Sequence, residues 1–179
     1  MTPKDLLLPF DGGYLRPLAV QDVHDGYIDG LNDPVVNRYL DGVKHARQTR
    51  DSVVDFVNQN AAAPNAVFFG VWLDGKQQHC GTVRIYGIEH HHHTAHIGIC
   101  LFDSAVWGKG IARKAIRSAS AWAAQTFDLR WIEAGAYEPN IASQRSFLSA
   151  GYEWVSDMPG KYLFENQPTT VKIYAYQAK

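Results

Sequence analysis

The residues best suited to chemistry lie in Val106-Trp107-Gly108-Lys109-Gly110-Ile111-Ala112-Arg113, where two glycines flank Lys109 and Arg113 follows. Behind this stretch Ile111, Ala112, Ala115, Ile116, Ala119, Trp122 and Ala123 recur at helical spacing, and ahead of it Ala95 to Leu101 alternates like a half-buried strand. The stretch therefore reads as a turn from a strand into a helix. Such a turn leaves backbone N–H groups without partners, and the helix dipole adds partial positive charge there. A phosphate or pyrophosphate fits that environment. Glycine can also serve such a turn for steric reasons alone. The spacing matches neither G-x-x-x-x-G-K-[ST] nor G-x-G-x-x-G, so the common nucleotide loops are excluded.

A second candidate is the run His90 to His93, with His79 and His96 nearby. His91 and His93 would share a strand face. No cysteine stands at ligand spacing, and Glu89 is the one carboxylate beside them. The run is expected to be a polar hairpin tip, with no metal site.

The elements that must position these groups can be read in order. Residues 1–13 read as an N-terminal tail and 14–177 as a single domain. Tyr14 to Leu18 is a strand, and Val20 to Leu31 a helix with Val23, Tyr27, Ile28 and Leu31 on one face. Asp33, with Pro34 after it, should cap a short helix carrying Val35, Val36, Tyr39 and Leu40. Asp41 to Gln48 reads as a polar loop, and Thr49 as the cap of a helix from Arg50 to Asn58. Val67 to Leu73 and His79 to Ile88 are strands about an Asp74-Gly75 turn, and Glu89 to Thr94 is a second hairpin tip. A strand from Arg130 to Tyr137 follows the long helix directly. Strands at Tyr152 to Val155, Tyr162 to Glu165 and Thr170 to Tyr176 close the chain. On the strand before the glycine turn, Ala95, Ile97, Ile99 and Leu101 form the apolar face. His96, Gly98 and Cys100 then face a cleft.

The order strand, W-G-x-G-x-A turn, long helix, strand, Asn140-x-x-Ser143 and Ala150-Gly151-Tyr152 resembles the acetyl-CoA-binding core of the GNAT N-acetyltransferase superfamily. The branch it is most similar to contains ribosomal-protein N-terminal acetyltransferases and amino-sugar acetyltransferases of surface-polysaccharide synthesis. The resemblance covers residues 14 to 177 and is strongest from 95 to 152. It implies an α/β, single-domain GNAT-like fold. Its mixed, mostly antiparallel sheet is splayed between the strands at about 95–102 and 130–137 and flanked by helices.

The resemblance also implies roles. Trp107, Gly108, Lys109, Gly110, Ile111, Ala112 and Arg113 would hold the pyrophosphate of acetyl-CoA. Ile99, Cys100 and Leu101 would pair with the pantetheine arm, a backbone N–H near Leu101 facing the thioester oxygen. Asn140 would bond the same arm, or cap a helix, or both. Many relatives carry a tyrosine acid where this chain has Phe147, so Ser143 or solvent would protonate the leaving sulfur. Relatives often place Glu where this chain has His96. A histidine titrates near about 6.5, so His96 could take a proton from an ammonium, with Glu138 or a water chain as the next candidates. Asn37, Arg38 and Tyr39 fall where the superfamily forms its acceptor site, and read equally as helix-surface residues.

The chain has 179 residues, 46% of them hydrophobic, enough for one domain with a real core. A net charge of −1 makes no electrostatic case for nucleic acid or an acidic membrane as partner. Cys80 and Cys100 suggest no disulfide framework. No apolar run reaches about 18 residues, and the N-terminus lacks a basic-then-apolar pattern. A cytoplasmic monomer or homodimer is expected. Its function would be acetyl transfer from acetyl-CoA, without a metal, to a primary amine, whether an amino sugar or a nucleotide-linked amino sugar. A protein N-terminus is the alternative acceptor, and a non-catalytic acyl-CoA-binding module the alternative class.

Overall fold

The computed structural model describes residues 5–178. Its strands are β1 (Leu8–Phe10), β2 (Gly13–Pro17), β3 (Ala66–Leu73), β4 (Gly81–Glu89), β5 (Thr94–Cys100), β6 (Trp131–Tyr137), β7 (Glu153–Phe164) and β8 (Gln167–Gln177). The helices are α1 (Asp25–Asn32), α2 (Asp41–Lys44), α3 (Arg50–Ala62), α4 (Ile111–Phe127) and α5 (Ile141–Ser149). All the strands join one sheet in the order β1-β2-β3-β4-β5-β6-β8-β7. Every neighbouring pair is antiparallel except β5 and β6.

Helix α4 lies on one face of the sheet because its inward stripe is small. Ala115, Ile116, Ala119 and Ala123 are fully buried, and three alanines let the helix approach the strands closely. Tyr152 anchors the same face, sharing a hydrogen bond with the buried Ser120 hydroxyl at 2.6 Å. The opposite face carries α1 and α3, whose Tyr27, Leu31, Val53 and Val57 cover Phe68, Trp72 and Phe102. Strand β3 is buried from Val67 to Trp72, as expected for a strand covered on both faces.

The feature that makes the site is the β5–β6 pair. Its ladder runs through Thr94↔Trp131, Ala95↔Ile132 and His96↔Glu133 and then stops. Beyond His96, β5 stays registered with β4 as far as Cys100↔Thr82. Beyond Glu133, β6 stays with β8 as far as Tyr137↔Val171. Each arm of the fork keeps an outer partner and shows an unpaired inner edge. This is the splay expected of the superfamily.

Several expected boundaries move. Part of the expected tail is structured, since Leu8–Phe10 pairs with β2 and reads as loop only because it is so short. The first helix begins at Asp25, after a single 3-10 turn at Val20–Asp22, where His24 caps by accepting the Tyr27 N–H. Pro34 opens only a 3-10 turn at Asn37–Tyr39, and the supposed polar loop holds α2. The expected strands at 152–155 and 162–165 are one bulged strand, β7. His79 precedes its strand. It is buried among His24, Tyr27, Trp72 and Phe102. Neither ring nitrogen has a hydrogen-bond partner, and burial depresses its pKa to about 3.

Candidate active site

A cleft of about 1290 Å³ opens in the fork. At one end stand the β5 arm, the glycine turn and the start of α5. Gly108 and Gly110 both take φ of 74°, a left-handed conformation that glycine adopts without strain. A side chain at Gly108 would meet nothing within 4 Å, and one at Gly110 only the Arg113 guanidinium at 3.9 Å, so the concave side of the turn is open. No side chain caps α4, and among the described residues no backbone carbonyl accepts from the N–H groups of residues 108–113. Lys109, Arg113 and Arg145 of α5 line the same end. Built from backbone and edged by cations, this end has the chemistry of an anion site.

Trp107 works as a strap. Its indole N–H donates to the Leu101 carbonyl at 2.8 Å, fixing the segment that continues β5. The Leu101 N–H itself finds no backbone acceptor among the described residues. Across the fork, Asn140 accepts the Ser143 N–H at 3.2 Å and so caps α5 while lining the cleft. Ser146 and Ser149 donate back to carbonyls of their own helix, but the Ser143 hydroxyl makes no such bond among the described residues. Phe147 is buried beside Tyr152 and Tyr174. Both of those phenols are committed, to Ser120 and to Gln144. Cys100 also lines the cleft, and burial pushes its thiol up to about 12.

The other end is made of side chains. His96 projects into it, stacked against Tyr86 with ring centroids 5.4 Å apart, and its Nδ1 lies 3.8 Å from Glu133 Oε1. Tyr39, Asp41, Tyr137 and Tyr162 complete the wall. Tyr137 donates its hydroxyl to Asp41, which also holds Lys44 at 2.5 Å. Burial works to raise the Asp41 pKa, but the bonds from Lys44 and Tyr137 outweigh it and hold the carboxyl below its usual range. Burial, then the Asp41 bond, pushes the Tyr137 phenol upward. An aromatic cluster and an ion pair flank this end. Tyr39 stacks on Phe164 at 5.0 Å and donates to the Pro139 carbonyl, while Arg38 pairs with Glu165 at 2.8 Å.

The structure thus gathers His96, Ile99, Cys100, Leu101, the turn 107–113, Asn140, Ser143, Phe147 and Tyr39 around one cleft. Asn37 and Arg38 do not line it. Asn37 donates to the Leu31 carbonyl, and Arg38 is spent on Glu165. Lys44 is tied to Asp41, and Arg47 lines a separate shallow pocket beside α1. Glu138 pairs with Lys172 outside the cleft. Sequence reasoning missed Arg145, which the α5 period from Ala142 through Ser149 could have revealed. It also missed Asp41, Tyr86, Glu133, Tyr137 and Tyr162, which only strand register and long-range packing bring together. Among the described residues, no group of three or more His, Cys, Asp or Glu is placed to hold a metal. His93 instead bonds the Asp128 carbonyl, holding the hairpin tip against the end of α4. No described helix is long and apolar enough to cross a membrane.

A family model of the acetyltransferase (GNAT) domain matches residues 14–153. The chain belongs to the GNAT acetyltransferase family. Membership makes it an acetyl-CoA-dependent N-acetyltransferase, with acetyl-CoA as cosubstrate. Solved structures share the fold of this GNAT enzyme at low identity. The microcin self-immunity acetyltransferase MccE, in complex with acetyl-CoA and AMP, superposes with a TM-score of 0.84 at 18% identity over 99% of this chain and 98% of that one. RimL, a ribosomal-protein alpha-N-acetyltransferase in complex with coenzyme A, gives 0.84 at 17% over 96% and 98%. Spermidine N-acetyltransferase from Vibrio cholerae, in complex with CoA and spermine, gives 0.81 at 18% over 93% and 96%. No curated protein matches the sequence.

Proposed function

We propose that this GNAT enzyme acetylates the primary amine of a small acceptor, an amino sugar carrying no phosphate, by direct attack on the thioester. The observation that carries the acceptor class is the make-up of the His96 end of the cleft. Phenolic rings from Tyr39, Tyr86, Tyr137 and Tyr162 suit the apolar face of a sugar ring, and the Tyr86 and Tyr162 hydroxyls, not spent on other residues, suit its hydroxyls. A nucleotide-linked sugar would want several cations for its diphosphate, but Arg38 and Lys44 are already paired and Arg47 lines a separate pocket, which leaves Lys161 as the one described cation beside Tyr162 at this end.

Acetyl-CoA supplies an activated acetyl carbonyl. The turn from Trp107 to Arg113 holds its pyrophosphate through backbone N–H groups, with Lys109, Arg113 and Arg145 adding charge. The inner edge from Ile99 to Leu101 and the Asn140 amide hold the pantetheine arm, and the Leu101 N–H stabilises charge developing on the thioester oxygen. The acceptor arrives as an ammonium, and His96 takes one proton, directly or through water. The neutral amine then forms the N–C bond as the C–S bond breaks. The surplus proton on nitrogen ends on the departing sulfur, by way of the Ser143 hydroxyl or solvent. Thiols have pKa values of about 8–9, so weak help suffices. A thiol held at about 12 leaves Cys100 protonated, which supports direct attack over an acyl-cysteine route.

The test is a competition of amines with acetyl-CoA, following free-thiol release. Amino sugars should turn over with higher kcat/KM than nucleotide-linked amino sugars or peptides with free N-termini. Turnover of peptides alone would reverse the assignment.

A further inference from the structure

We infer that Glu133 is a positioning residue for His96, completing a row Tyr86–His96–Glu133 that crosses three strands at the last rung before the fork. The inference rests on the reading of His96 as base. Register puts the three side chains on one face, because Tyr86 pairs with His96 across β4–β5 and His96 pairs with Glu133 across β5–β6. The imidazole is therefore gripped from both sides. Tyr86 stacks on it at an interplanar angle of 26°, and Glu133 Oε1 stands 3.8 Å from Nδ1.

At 3.8 Å the carboxylate is in ion-pair range and short of a hydrogen bond, the loose spacing that catalytic pairs often show before substrate tightens them. Glu133 has no other ion-pair partner among the described residues. Asp41, the other carboxylate of the acceptor end, is taken by Lys44 and Tyr137. Around the row stand Arg84, whose guanidinium lies 4.8 Å from the Tyr86 ring centre, and Tyr162 of β7.

The opposite edge of the ring is kept clear by a glycine. Gly87 sits at φ of 59° where the β4–β5 ladder bulges, and a β-carbon there would stand 3.1 Å from His96 Cδ2 and 3.9 Å from Nε2. One nitrogen thus faces a carboxylate, and the other lies on the side of the small Gly87. A carboxylate beside Nδ1 accepts its N–H, which leaves the lone pair on Nε2. When Nε2 takes a proton, the same carboxylate stabilises the imidazolium. Glu133 acts through His96 and touches no reacting atom.

A double-mutant cycle tests this. Glu133→Gln keeps size and shape, and should lower kcat about tenfold or more with acetyl-CoA affinity and melting temperature unchanged. Glu133→Asp should retain part of the rate. In a His96→Ala background, Glu133→Gln should change kcat no further. An equal loss in both backgrounds, or an unchanged kcat in Glu133→Gln, overturns the inference while leaving His96 as base. A His96→Ala enzyme with normal kcat overturns the base itself, and the positioning role with it.

Discussion

At the glycine-turn end of the cleft, proposed for the coenzyme, the contacts are offered by backbone, from a turn of glycines and the unpaired edge of β5, whereas at the His96 end, proposed for the acceptor, they are offered by side chains from α2, β4, β5, β6 and β7. A backbone site needs only a conformation, and conformation leaves marks in local sequence. Gly108 and Gly110 must be glycine-like to hold φ of 74°, and the helical period behind them fixes where the dipole points. A side-chain site needs partners that meet only after the sheet has formed. Glu133 becomes a neighbour of His96 through a parallel rung between strands separated by the whole of α4.

The largest effect should come from spoiling the backbone end. Gly110→Asp puts a side chain and a negative charge into the turn, and should weaken acetyl-CoA about 100-fold or more and abolish its stabilisation against heat. A melting shift with acetyl-CoA as large as wild type would show that the turn is not the anion site. Next in size, His96→Ala should lower kcat about 100-fold with the acidic limb of kcat/KM displaced. Near-normal kcat with an unmoved limb would return His96 to an ordinary surface histidine.

The contrast was also what limited reading the chain as a sequence. The α4 stripe and the glycine turn follow from periodicity and a local motif, whereas the fork, Asn140 and Ser143 follow from the family resemblance. Asn37 and Arg38 did not reach the cleft, because their side chains satisfy the α1 end and the β7–β8 turn instead. Asp41 was hidden in what reads as a polar loop. His79, expected within a strand, instead supports the platform of α1 that carries the acceptor side, and nothing local marks it as buried.

That platform gives a smaller, pH-dependent effect. The folded pKa of His79 is about 3, below the roughly 6.5 of an unfolded histidine. Between those values the unfolded chain binds the extra proton. The contribution is therefore complete above about pH 6.5 and is lost as pH falls, by about 1.4 kcal/mol per unit for one group. His79→Phe should flatten the decline in unfolding free energy between pH 6.5 and 5, measured by denaturant titration against wild type. Parallel declines in the two proteins would mean that His79 is not buried neutral. The smallest effect belongs to the Arg38–Glu165 pair beside the His96 end. Both residues are exposed, so Arg38→Ala should leave stability nearly unchanged and raise the amine KM only about threefold. An equal rise in the acetyl-CoA KM would show that the pair serves both ends.

The division of the cleft is tested most directly by titrating acetyl-CoA calorimetrically into wild type, Gly110→Asp and His96→Ala side by side. The backbone-built coenzyme end predicts affinity lost about 100-fold or more in Gly110→Asp and retained in His96→Ala. Retained affinity in Gly110→Asp, or an equal loss in His96→Ala, would contradict it.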